Sequence, residues 1–229
     1  MRKPLTVSAL ERMLKTLAAI RRRQTMAVGS LVAGNFILAV FIFLGPAAKP
    51  LSTEAVVLLN SSTVLGTAFF VNSEGYLLTA ASLVKSDTLV QLYFRDGTTT
   101  EARVLFVDRE RDIALLQSAA NSKIPEPLPL GEPSAIARGD QVYVIGYPSG
   151  SSSQTSGTVT NPMREYLQTD LAADPGNLGG PLLSKATNTV IGVVVAKSQL
   201  AGQRNGGQHH ALTIEAVEAL CREKQYELR

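Results

Sequence analysis

The ten residues Asp174 to Leu183, DPGNLGGPLL, arrange Pro175, Gly176, Asn177, Gly179 and Gly180 around one central side chain. Glycines and a proline at this spacing build a tight turn that exposes backbone amides, the kind of turn that presents a nucleophile. The central residue is Leu178, which has no atom able to attack a carbonyl. Acyl transfer of the usual kind needs a hydroxyl or thiol, an imidazole to take and return its proton, and a carboxylate to orient the imidazole. The imidazoles available are His209 and His210, adjacent in sequence, and the one thiol is Cys221. Neighbours on a strand point to opposite faces, so the two histidines make a poor chelating pair. A structural or surface role is expected for them, with metal or ligand binding through a partner Asp or Glu as the alternative. No Cys or His cluster has zinc spacing and no phosphate-binding loop is present, so no cofactor or metal is expected.

Such a turn has to be held by a rigid frame, and the chain has the makings of one. After residue 53, short apolar runs rich in β-branched residues alternate with turns: AVVLLN, GTAFFVN, GYLLTA, LVQLYF, EARVLFVD, IALLQ, QVYVIGY, YLQTD and VIGVVVA. Strands at this density without helices between them predict an all-β barrel or sandwich. Only the end differs. Ile214, Val217, Leu220 and Cys221 recur on one face at helical spacing, which predicts a C-terminal helix with Cys221 packed in the core.

The N-terminal part is of another composition. Residues 1–48 hold seven of the 22 basic residues and one acid, whereas the rest holds 15 bases against 18 acids. The basic balance therefore belongs to the tail alone, and nothing argues for a nucleic-acid partner. Met26 to Leu44 is a run of 19 residues without a charge, about the length that crosses a ~30 Å hydrocarbon core as a helix. Arg21, Arg22 and Arg23 precede it, which orients the tail to the cytoplasm and the bulk of the chain outside. A cleaved signal peptide is the rival reading, but its apolar core is usually ~7–15 residues. The small residues Gly29 and Ala33, Ser30 and Gly34, with Asn35 beside them, have the spacing that lets membrane helices associate. Leu10, Met13, Leu14 and Leu17 lie among basic residues, the pattern of an amphipathic helix on an anionic leaflet or against a cytoplasmic partner. The expected organisation is a basic tail (1–24), a transmembrane helix (25–45), a linker (46–53) and a folded domain (54–229).

Within that domain five collinear stretches resemble a known family. GTAFFVNSEGYLLTAASLV, DRERDIALL, GDQVYVIGYP, SGTVT and LQTDLAADPGNLGGPLL are similar, in order and spacing, to the landmarks of chymotrypsin-fold serine proteases, specifically the disulfide-free HtrA/Deg-like branch of bacterial envelopes. The resemblance implies a double β-barrel followed by a C-terminal helix. It also implies where a triad would lie: the histidine position carries Ser82, the aspartate position carries Asp112, and the serine position carries Leu178. The loop Gly176, Asn177, Leu178 and Gly179 would be a relic oxyanion loop, with the amides of Gly176 and Leu178 as its donors if the turn keeps the family's shape. A serine hydroxyl is no base near neutral pH, so the expectation is a degenerate triad: a membrane-anchored pseudoprotease of the inner membrane. Its periplasmic domain would bind a protein or peptide, by strand addition beside the old cleft, as a scaffold subunit of a cell-envelope complex. The alternative of another class is an active serine hydrolase with a rearranged site, for instance Ser82 acting beside Asp112.

Overall fold

The computed structural model describes residues 27–33, 36–42, 52–132, 136–172, 174–196 and 209–229. They fall into two units, one within residues 1–49 and one spanning 50–229.

The first unit contains two antiparallel strands, β1 (Ala27–Ala33) and β2 (Phe36–Ile42), in register from Ala27 opposite Ile42 to Ala33 opposite Phe36. A helix was expected over 25–45, so the backbone here differs from the sequence reading. The reason lies in the residues themselves: an uninterrupted apolar run has no period to favour a helix, and Val28, Val32, Phe36, Ile37, Val40, Phe41 and Ile42 are β-branched or aromatic, types that suit a strand. Gly29, Ser30 and Ala33 are opposite Val40, Ala39 and Phe36, while Gly34 and Asn35 lie outside the described residues. So do the basic tail and most of the linker. Among the described residues no helix is long and apolar enough to cross a membrane.

The second unit is a pair of closed six-strand antiparallel barrels followed by a helix. Barrel one is built from β3 (Val56–Asn60), β4 (Leu65–Phe70), β5 (Tyr76–Thr79), β6 (Leu89–Tyr93), β7 (Thr99–Asp108) and β8 (Ile113–Ser118), in the order β3-β4-β5-β8-β7-β6. Barrel two takes β9 (Gln141–Gly146), β10 (Ser153–Pro162), β11 (Tyr166–Thr169), β12 (Pro181–Ser184), β13 (Val190–Val195) and β14 (His209–Thr213), in the order β10-β11-β14-β13-β12-β9. Barrel one is filled by Leu59, Phe69, Leu77, Leu92, Ile113 and Leu115, all fully buried. Barrel two has a smaller aliphatic filling that includes Val142, Val144, Val159, Leu167, Leu182 and Ile191.

The chain closes with a helix from Ile214 to Glu223, capped by the Thr213 hydroxyl, which accepts from the Ala216 amide at 3.3 Å. Ile214, Val217, Leu220 and Cys221 form its buried face, as the periodicity predicts. Burial pushes the Cys221 thiol up to about 12, which leaves it protonated and unreactive at neutral pH. Beyond the helix, Tyr226 packs edge-on against Tyr76 and stacks on Phe106, so the C-terminal segment rests on barrel one.

Candidate functional site

Ser82, Asp112 and the 174–180 loop come from three connections. Strand β5 runs out at Thr79 and the chain turns through a one-turn helix, Ala81–Val84, that carries Ser82 at the surface. The tight β7–β8 connection ends in Asp112, whose φ of 57° is in the left-handed region that aspartate tolerates better than most residues. This aims its carboxylate back across the Ser82 turn. Oδ1 accepts from the Ser82 amide at 2.7 Å, and Oδ2 accepts from the Ser82 hydroxyl at 3.1 Å and from the Ala196 amide at 2.7 Å.

Ala196 follows β13, so Asp112 ties the end of a barrel-two strand to the Ser82 turn of barrel one. Asp112 is 8% exposed, and burial pushes its carboxyl pKa above the ordinary carboxylate value despite the three donors that oppose the shift. A carboxylate, even one shifted upward in this way, is too weak a base to ionise a serine hydroxyl. The sequence anticipated the Ser82–Asp112 pairing; it did not anticipate Ala196.

Neither histidine is placed in this cluster by its described contacts. His210 lies on β14 opposite Gln168 of β11, with Nε2 atoms 3.1 Å apart. His209 is paired through its backbone with Thr169, and its side chain lies outside the described residues. Among the described residues no group of three or more His, Cys, Asp or Glu is positioned to hold a metal ion.

The loop is a 3-10 turn, Pro175–Asn177, entered through Asp174. The amides from Gly176 to Gly180 are engaged. Gly176 N–H donates to Asp174 Oδ1 at 2.8 Å, Asn177 N–H to the Asp174 carbonyl at 3.0 Å, and Leu178 N–H to the Pro175 carbonyl at 3.1 Å. Gly179 N–H reaches the Val194 carbonyl at 2.8 Å. The expectation that Gly176 and Leu178 would offer two free donors is therefore not met by this conformation. The 3-10 turn brings the Pro175 carbonyl round to the Leu178 amide, and Asp174 takes the other. Gly179 has a φ of 78°, and a Cβ there would lie 2.3 Å from the Thr67 carbonyl oxygen, so this glycine is required both by backbone conformation and by close approach. The Leu178 side chain is half-buried and packs against the larger apolar cluster, which is shared by barrel one, part of barrel two and the C-terminal helix.

Two residues the sequence reading passed over hold this loop in place. Thr67 of β4 is fully buried; its hydroxyl donates to the Gly176 carbonyl at 2.7 Å and accepts from the Tyr147 amide at 3.1 Å, while its amide donates to the Leu178 carbonyl at 3.0 Å. Tyr147, just after β9, sends its hydroxyl to the Val56 carbonyl at 2.9 Å, another bond from one barrel to the other. A polar Thr inside the otherwise apolar run GTAFF was the available signal for the first; nothing local marks the second. Replacing Tyr147→Phe should cost about 1–2 kcal/mol by leaving the Val56 carbonyl unpaired, read as a lower midpoint with unchanged slope in urea unfolding.

Asn177 is 1% exposed, and neither end of its carboxamide has a partner among the described residues. Its oxygen lies against Gly146, where a Cβ would approach to 2.5 Å. The arrangement as a whole can hold a hydroxyl beside a buried carboxylate and display a rigid loop. Among the described residues it presents no imidazole beside the Ser82 hydroxyl and, in this conformation, no free pair of amides at Gly176 and Leu178 for an oxyanion.

Comparison with known proteins agrees with this architecture. Residues 66–193 match the family described as "Trypsin-like peptidase domain". The chain is 29% identical over 154 residues to Protease Do-like 1, chloroplastic, of Arabidopsis thaliana, covering 62% of this chain and 35% of that protein. It is 28% identical over 204 residues to the putative serine protease HhoA of Synechocystis sp., covering 72% of this chain and 52% of that one. Among solved structures it resembles an HtrA-type protease, AlgW with tripeptide, with a TM-score of 0.64 at 29% identity over 76% of this chain and 62% of the other. The chain spans about a third to a half of the length of the two sequence relatives.

Proposed function

The chain belongs to the trypsin-like peptidase domain family, in its chymotrypsin-fold HtrA/Deg-like branch, and from that premise we propose that it is a proteolytically silent member that works by binding a protein or peptide partner. The observation that carries the reading is Leu178, a side chain without a nucleophilic atom at the centre of a loop whose glycines and proline are otherwise those of a nucleophile turn. The Ser82–Asp112 pair, which lacks an imidazole, supports it, as do the engaged amides of Gly176 and Leu178.

Among the described residues each barrel closes on itself, and a closed barrel offers no free edge to which a partner strand could add. We therefore assign recognition to the loop surface around the exposed Ser82 and Lys85 and the half-buried Leu178. The uncharged run 26–44 is assigned as a single membrane anchor, with Arg21 to Arg23 on the cytoplasmic side and the domain outside. In hydrocarbon an open two-stranded hairpin would leave edge N–H and C=O groups unpaired, whereas a helix pairs them internally; in lipid the segment would therefore adopt the helical form. Together these make a scaffold subunit of an envelope complex, one tail inside and one folded module outside.

The test is a photo-crosslinking amino acid at position 85, beside Ser82, in native membranes, with position 222 on the C-terminal helix as the control. A protein adduct from position 85 that is absent from position 222 is the expected result. No adduct from position 85, or equal labelling from both, would sink the binding role. Protease added outside should degrade the domain and spare the tail; the opposite pattern would remove the assigned topology.

A further inference from the structure

Three segments far apart in sequence meet against barrel one: the 3-10 turn Thr53–Ala55, the β6–β7 turn from Phe94 to Thr98, and the loop leading from Lys123 to Pro125. They enclose a cavity of about 220 Å³ lined by Glu54, Phe94, Arg95, Asp96, Lys123 and Pro125. It shares no residue with the Ser82–Asp112 cluster.

The floor is apolar and rigid. Phe94 is half-buried and its ring stacks on the fully buried Phe70, with centroids 6.0 Å apart, and Pro125 is buried. The rim is charged, and its charges are not equally committed. Asp96 accepts from the Thr98 amide at 2.9 Å and the Thr98 hydroxyl at 2.6 Å; these bonds, chiefly, and the nearby Lys123 hold its carboxyl below the usual range. Arg95 gives one guanidinium N–H to Thr53 Oγ1 at 2.9 Å and makes no ion pair among the described residues. Glu54 has neither a hydrogen bond nor an ion pair among them.

An apolar floor with a guanidinium that spends one N–H on Thr53 and keeps the others free, and with the Glu54 carboxylate, on its rim suits a particular kind of ligand. A simple anion would face Glu54 and a simple cation would face Arg95, so only a dipolar ion satisfies both. The volume is below the ~300–1,000 Å³ of drug-sized pockets, which limits the occupant to a single small molecule. We propose that this cavity binds a hydrophobic α-amino acid as a zwitterion, its carboxylate on Arg95, its ammonium on Glu54 and its side chain on Phe94 and Pro125. Charge-assisted hydrogen bonds of this kind are stronger than neutral ones, and the apolar side chain adds area removed from water.

The test uses the full chain in detergent, titrated with L-phenylalanine and followed by calorimetry and by amide NMR of the Phe94–Thr98 turn. Phenylacetate, which lacks the ammonium, and phenethylamine, which lacks the carboxylate, are titrated alongside. Saturable binding of phenylalanine is expected, with both analogues weaker by about tenfold or more, the effect of one lost charge-assisted bond. Arg95→Met and Glu54→Gln should each weaken phenylalanine by a similar factor, and Glu54→Gln should also remove the discrimination against phenylacetate. Both side chains are exposed, so an unchanged thermal midpoint establishes that the variants remain folded. No saturable binding up to about 10 mM, a weak limit for a small ligand, overturns the proposal. So does binding to which the two charges and the two substitutions make no difference.

Discussion

The purified chain is expected to cleave no peptide bond in an unstructured protein substrate, while the double substitution Ser82→His with Leu178→Ser is expected to gain measurable turnover. In the best-studied triad, loss of the nucleophile or of the base alone lowers kcat by about 10⁶-fold, and this chain has neither group at the Ser82 and Leu178 positions. Asp112 is already placed to orient an introduced imidazole, since its carboxylate lies 2.7 Å from the amide of residue 82. The gain should nevertheless fall well short of full restoration. The amides of Gly176 and Leu178 are bonded to Asp174 and Pro175, and one missing oxyanion donor costs about 10²–10³-fold. Labelling of the double variant by a covalent serine-hydrolase probe provides a second readout. Turnover by the unaltered chain that survives repurification, with mass-spectrometric proof of its sequence, would overturn the silent-protease reading and send the search to another nucleophile. A silent double variant that nevertheless labels with the probe would locate the defect in the engaged amides.

The second large effect is one of stability. Asp112→Ala should destabilise the domain by about 2–4 kcal/mol, because it strips acceptors from two backbone amides, those of Ser82 and Ala196, and an orphaned buried donor costs about 1–3 kcal/mol. The conservative Asp112→Asn should recover only part of this. Its single carbonyl oxygen can serve one amide, and the NH2 then faces the other, donor against donor.

The pH dependence separates a buried carboxylate from a surface one. Burial raises the folded pKa of Asp112 above its unfolded value, so the folded state holds the proton more tightly than the unfolded state does. The contribution is therefore fully present below the unfolded pKa of ~3.9 and is lost as pH rises through the folded value. Stability of the unaltered chain minus that of Asp112→Asn should accordingly fall as pH is raised from about 3.5 upward through that window. Asp87, Asp96 and Asp170 have lowered pKa values, chiefly from hydrogen bonds with Ser62, Thr98 and Thr158; they act in the opposite sense and cancel in the difference. Chemical unfolding at a series of pH values reads this directly. A difference that rises with pH would mean that Asp112 is stabilised as an anion, contrary to the desolvation argument.

What the sequence determined by itself is the chemistry that residue types permit. Leucine at 178 cannot attack and serine at 82 cannot serve as a base in any fold, and that limit on what these two positions can do was legible before any coordinates. Period and turn residues likewise carried the strands, the glycine-rich loop and the face of Ile214, Val217, Leu220 and Cys221, because these are local properties written in spacing. The apolar run 26–44 had no such period, and there the helix expected and the paired strands β1 and β2 diverged. Tertiary structure alone decided which groups meet across the two barrels: Ala196 on Asp112, Thr67 on Gly176, and Tyr147 on Val56. It also decided that the loop's amides are engaged. A glycine-rich turn leaves several backbone conformations accessible, and only packing against Thr67, Thr79 and Val194 selects the one in which the Pro175 carbonyl turns toward the Leu178 amide.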